Sequence, residues 1–140
     1  MKRVARAAID RGFTLLELLV VIVIIGLLAS YVAPRYFGQL SKSEISVAKA
    51  QLDSLSKALS QYRLDVGRFP TTAQGLDALL KAPTGEARWQ GPYLQRAIPL
   101  DPWGHPYQYR SPGAAGDFDL FSFGKDGRSG GSGEDADISL

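Results

Sequence analysis

Two groups of side chains in this sequence have types and spacings suited to chemistry. The first is a single carboxylate, Glu17, the only charged residue in the apolar run 13–33. That run is close to the ~20 residues a helix needs to span a bilayer. A carboxylate there is costly in lipid, so it marks a functional position by default. The second group is Asp126, Glu134, Asp135 and Asp137, hard oxygen donors on a glycine-rich C-terminal segment. Calcium favours six to eight such oxygens from carboxylates, carbonyls and water. The spacing is not that of an EF-hand, and from composition alone a solvated acidic tail is the simpler reading. With no cysteine and one histidine, the composition disfavours zinc.

Other chemistry is absent. His105 lies in a turn between glycine and proline, a structural setting. Trp103, Tyr107 and Tyr109 read as packing aromatics rather than a sugar or peptide platform. There is no nucleophile–base pair, no phosphate-binding glycine loop and no supported carboxylate pair, so the chain is not expected to be an enzyme.

The junction before the apolar run orients it. Residues 1–12 carry Lys2, Arg3, Arg6 and Arg11 against Asp10, and end at Gly12. A secretory signal would place its apolar region before the cut, with small residues at the cleavage point. Here the apolar region comes after Gly12, so a cut after that glycine would release only the basic leader and keep the anchor. The whole chain has 16 Lys and Arg against 14 Asp and Glu, whereas residues 13–140 keep 12 basic and 13 acidic side chains. The basic balance therefore belongs to the leader, which holds the N-terminal flank in the cytoplasm. It gives no support to nucleic-acid binding.

The elements that must position these groups are set by periodicity. Ile45, Ala48, Leu52, Leu55, Leu59, Tyr62 and Val66 recur at three- and four-residue spacings, an apolar stripe on one helix face. Gly67 and Pro70 end that helix at about residue 66. Gly26 and Pro34 are weak points between its two halves, since glycine costs helix stability and proline removes a hydrogen bond. Thr71-Thr72-Ala73-Gln74 has capping-box form, and with Leu76, Leu79 and Leu80 it predicts a short second helix over 72–82. From Gly91-Pro92 onward the texture is strands and turns, with strands expected around Tyr107–Arg110 and Phe118–Phe123. The expected fold is α+β: a long N-terminal helical spine, with a transmembrane half over 13–34 and an amphipathic half, packed on a small antiparallel sheet and loop domain. The extramembrane domain is 35–140, and its β-rich part is 92–140. About a hundred residues suffice for one modest core.

Four blocks resemble a known family. They are Gly12-Phe13-Thr14-Leu15-Leu16-Glu17; Tyr62-Arg63-Leu64-Asp65 with Arg68-Phe69-Pro70-Thr71-Thr72-Ala73-Gln74-Gly75-Leu76; Leu100-Asp101-Pro102-Trp103-Gly104-His105-Pro106-Tyr107-Gln108-Tyr109; and Phe121-Ser122-Phe123-Gly124-Lys125-Asp126-Gly127 running to Ala136-Asp137-Ile138. The first is similar to the class III signal of type IV pilins and pseudopilins. Together the four resemble the major pseudopilin of the type II secretion system, a pilin-like fold. Two departures are visible. His105 stands where asparagine is common, and Ser139-Leu140 stands where the family usually has Gly-Asn-Trp.

The resemblance implies a specific biology. A prepilin peptidase would cut between Gly12 and Phe13 and N-methylate Phe13. Glu17 would neutralise the terminal amine of a neighbouring subunit in a helical homopolymer. Calcium would be bound by Asp126 and Asp137, with Asp135 a weaker ligand, Glu134 weaker still, and the Phe123 main-chain carbonyl completing the shell. The subunit would sit in the inner membrane by a single span, its domain in the periplasm, and assemble into a pseudopilus that helps export folded proteins across the outer membrane. Its partners would be further copies of itself, minor pseudopilins, the peptidase, the inner-membrane assembly platform and the secretin channel. The alternatives are a surface type IV or competence pilin, and a membrane-anchored periplasmic enzyme or binding protein. The absence of cysteine disfavours the former, because many major pilins close their C-terminal region with a disulfide.

Overall fold

The structure, a computed structural model, describes residues 12–140; the leader expected at 1–12 lies outside them except for Gly12. One helix, α1, runs Leu15–Val66 and contains Pro34. Gly26 also lies within it, and the helix is continuous through both. The chain divides into two compact units, Met1–Gln39 and Leu40–Leu140.

In the first unit the described residues of α1 present apolar side chains to their surroundings on every face. Leu16, Leu19, Ile22, Ile25 and Leu28 are all exposed. This part of α1 is long and apolar enough to cross a membrane, and none of that stretch is buried. A helix that is apolar all round and unburied suits a lipid or helix-packed environment rather than water.

The second unit carries the core. The stripe expected from periodicity is the buried one: Ala48, Leu52, Leu55, Leu59, Tyr62 and Val66 pack with Leu76, Leu79, Tyr107, Leu120 and Ile138. The helix stops where Gly67 adopts φ 90°, and its N–H donates to Arg63 O at 2.7 Å. That is the left-handed C-terminal cap that glycine accepts without strain.

The helix expected over 72–82 does not form, a correction to the sequence reading. The capping bonds are present: Thr71 N donates to Gln74 Oε1 at 2.8 Å and Gln74 N to Thr71 Oγ1 at 3.3 Å. Beyond them the chain makes only a 3-10 helix, Leu76–Leu79. Gly75, at φ 59° and ψ −163°, breaks the propagation straight after the cap. Leu76 and Leu79 are nonetheless buried as the pattern indicates, while Leu80 is partly buried.

Three short antiparallel strands complete the domain: β1 Gln108–Arg110, β2 Asp119–Ser122 and β3 Ile138–Ser139, in the order β1-β2-β3. Tyr109 pairs with Leu120 and Ser122 with Ile138. This register turns Leu120, Ser122 and Ile138 inward. The aromatics act as packing groups with polar tips. Tyr107 Oη donates to Gln51 Oε1 at 2.5 Å, Tyr109 Oη to Pro70 O at 2.7 Å and Trp89 Nε1 to Ala78 O at 2.8 Å.

Candidate functional site

Glu17 lies in the first turn of α1. Its Oε2 accepts from Thr14 N at 2.9 Å and from Thr14 Oγ1 at 3.1 Å, while Glu17 N donates to Thr14 Oγ1 at 3.2 Å. This is a reciprocal capping box, which satisfies donors that the first helical turn leaves without partners. It also holds the carboxylate at the end of the helix, where the macrodipole favours negative charge. Oε1 accepts no hydrogen bond among the described residues. The role of Thr14 as a partner of Glu17 was not anticipated, although Thr-x-x-Glu is the capping-box pattern and could have revealed it. Around the pair, Phe13, Leu15 and Leu16 are all exposed.

The C-terminal acids occupy a loop between β2 and β3. Asp126 Oδ1 accepts from Arg128 N at 3.0 Å, and Asp137 Oδ1 accepts from Gly130 N at 3.1 Å. Each has its second oxygen without a hydrogen bond among the described residues, and both side chains, like Asp135, are exposed. The backbone packs closely around Gly124. A Cβ added at Gly124 would fall 2.6 Å from Ala136 O and 3.0 Å from Glu134 O. The donor types, two carboxylates with one oxygen each to give, are those a hard cation takes. Among the described residues no three acidic, histidine or cysteine side chains form a ready-made metal cluster. A cation here would therefore depend on main-chain oxygens and water as well as carboxylates.

Glu134 is differently placed. Lys125 Nζ donates to its Oε2 at 2.6 Å, and Ser41 Oγ donates to its Oε1. The Lys125 ammonium and then the Ser41 hydroxyl hold the Glu134 carboxyl below its usual range, although the side chain stays accessible to water. With both oxygens engaged, it is the least suited of the four acids to ligate a metal.

The turn at residues 101–105 supports this loop. Asp101 is buried; its Oδ1 accepts from His105 N at 2.8 Å and Trp103 N at 3.1 Å, and its Oδ2 accepts from Ser122 Oγ at 2.6 Å. His105 Nδ1 lies 3.2 Å from Gly124 O, to which it can donate. Its ring covers Gly127, where a Cβ would come within 3.0 Å of the imidazole. His105 is thus a structural prop for the loop.

Comparison with known proteins matches these features. Residues 9–33 fit the family described as the prokaryotic N-terminal methylation motif, and residues 35–140 fit type II secretion system protein G. The chain is 46% identical over 130 residues to a type II secretion system core protein G from Pseudomonas aeruginosa, covering 91% of this chain and 92% of the relative. It is 48% identical over 130 residues to the core protein G of Vibrio cholerae, covering 91% and 88% of the two chains. In structure it is similar to the major pseudopilin of the type 2 secretion system of enterohaemorrhagic Escherichia coli. That match has a TM-score of 0.63 and 37% identity, covering 74% of this chain and 90% of that one. By sequence along nearly its whole length and by fold, this chain belongs to the type II secretion system protein G family.

Proposed function

We propose that the chain works as a major pseudopilin, a structural subunit that polymerises into the pseudopilus of a type II secretion system and so helps export folded proteins. The observation that carries this reading is the pairing of one capped carboxylate, Glu17, with a helix whose described N-terminal residues are apolar and unburied on all faces. Such a helix requires either lipid or neighbouring helices. The family membership supports the secretion filament and gives no support to a surface type IV pilin.

The finer steps rest on these residues. Cleavage after Gly12 and methylation at Phe13 leave a positive amine just ahead of α1, four residues before Glu17. In the inner membrane, with the domain in the periplasm, Thr14 shields part of the carboxylate. On assembly, Oε1 pairs with the amine of a neighbouring subunit. A buried charge left unpaired is expensive, so this pairing favours the filament over the membrane pool. The peptidase, the assembly platform, the minor pseudopilins and the secretin channel are the partners this route requires.

Calcium is the ion we assign to the C-terminal loop, with Asp126 and Asp137 as the principal ligands. Asp135 and the Phe123 carbonyl complete the set, and Glu134 lies outside it. When bound, the cation would offset the mutual repulsion of these acids and order the loop.

Two measurements test the reading. Deleting the gene should abolish secretion of folded exoproteins and leave surface pili intact; the reverse result would return the chain to the pilin class. Intact-mass analysis should find a mature chain beginning at methylated Phe13. Gly12→Ala or a bulkier substitution should accumulate full-length precursor. A mature start elsewhere would refute the cleavage assignment.

A further inference from the structure

The C-terminal loop is fastened to the spine helix by contacts that neither membrane insertion nor metal ligation explains. Glu134, in the 3-10 turn Gly133–Asp135, bridges two segments distant in sequence: Lys125 Nζ at 2.6 Å and Ser41 Oγ. The main chain doubles the first contact, since Lys125 N donates to Glu134 O at 3.0 Å. One turn along the helix from Ser41, Glu44 Oε2 accepts from Trp103 Nε1 at 3.2 Å. Trp103 belongs to the Asp101 turn, which holds the start of the same loop. Ser122 Oγ donates to Asp101 Oδ2 at 2.6 Å and accepts from Gly124 N at 3.1 Å, and His105 Nδ1 reaches Gly124 O. The loop therefore meets the spine directly at Ser41 and indirectly at Glu44, two residues on one helix face.

We propose that Glu134 is a latch that couples the order of loop 124–137 to the helical residues 40–48 at the start of the domain. An exposed Lys–Glu pair alone would do little. Here one carboxylate ties both ends of the loop to the spine helix, and the serine it engages is partly buried. Asp135 and Asp137 lie within three residues of it, so whatever orders those acids also fixes Glu134. Coupling of this kind is reciprocal: a spine held in place by its neighbours would order the loop as much as the loop orders the spine. The latch itself requires no metal. Only its control by a cation rests on the calcium reading.

Hydrogen exchange of the full-length chain in detergent micelles, read out by mass spectrometry, tests it. Without metal, Glu134→Gln should speed exchange in 40–48 and 124–137 together, by roughly three- to tenfold, the span of one net hydrogen bond. Residues 108–122 should be unchanged. Added calcium should slow exchange in both segments of the unsubstituted chain. In Glu134→Gln and Ser41→Ala it should slow only the loop. Unchanged exchange at 40–48 in the metal-free variants would overturn the latch, as would a calcium effect on 40–48 that survives both substitutions. Calcium failing to slow the loop of the unsubstituted chain would refute only the cation reading, because the metal-free comparison still decides the latch. Should Glu134→Gln not fold, Ser41→Ala removes a single hydroxyl and gives the same comparison.

Discussion

Ser122 on β2 donates to the buried carboxylate of Asp101 at 2.6 Å, and this bond closes the Asp-Pro-Trp-Gly turn onto the sheet. Asp101 has no cation within ordinary hydrogen-bonding distance among the described residues; His105 Nδ1 is 3.9 Å away. The carboxylate is satisfied instead by two main-chain N–H groups and one hydroxyl, a charge-assisted set. Asp101→Ala should therefore cost about 3 kcal/mol, because three donors lose their acceptor together. For a domain of this size the melting temperature should fall by more than about ten degrees. Asp101→Asn keeps one acceptor oxygen and should lose less. An unaltered melting temperature in the alanine variant would show that the turn closes without this residue.

Glu17 has two separable roles, capping its own helix and pairing across subunits. Glu17→Val should insert and be processed, yet build no stable filaments, although the segment becomes more lipid-soluble. Thr14→Ala removes the capping hydroxyl, a loss of about 1 kcal/mol, and should lower filament yield less than Glu17→Val. Sheared-filament yield and secretion measure both. Equal loss in the two variants would make capping, rather than charge pairing, the function of Glu17.

Calcium should stabilise the domain. A ligand at a hundredfold excess over its Kd adds about 2.7 kcal/mol to the folded state, or roughly ten degrees or more in melting temperature. A fragment from Leu40 onward carries the whole core and should show this rise. Chelator, Asp126→Ala and Asp137→Ala should abolish most of it, whereas Glu134→Gln should still bind the ion. Magnesium should substitute poorly. An identical melting curve under all these conditions would reduce the loop to a solvated acidic segment.

Alkaline unfolding should be led by Tyr107. Burial pushes its phenol up to about 12, with the Asp101 charge adding to the effect. Its proton also makes the bond to Gln51 Oε1. The folded state thus keeps a proton that the unfolded chain gives up near pH 10. The associated stability is fully present below pH 10 and is lost as pH rises toward 12, a change on the order of 2 kcal/mol. Tyr107→Phe should flatten that part of the stability profile. A profile over pH 10–12 identical in both proteins would contradict the burial argument.

Much of this molecule is legible in its sequence because the deciding interactions are local. The helix stripe from Ala48 to Val66 is a 3.6-residue pattern, and its stop at Gly67 needs only one left-handed glycine. The strands at 108–110 and 119–122 are marked by flanking turns. Gly12, Phe13 and Glu17 sit within one short segment, which is why the N-terminal methylation motif is visible in the sequence. The second helix is the exception: a capping box at Thr71 and a leucine pattern promise it, and Gly75 between them prevents it. Tertiary structure alone decided what holds the C-terminal loop. Ser41 and Glu134 are 93 residues apart, Glu44 and Trp103 are 59 apart, and Gln51 and Tyr107 are 56 apart. No periodicity links such pairs. They meet because burying the stripe of α1 against the sheet brings its polar margin beside the loop, which is how Ser41 came to engage Glu134 while Asp126 and Asp137 face no partner on the described part of the helix.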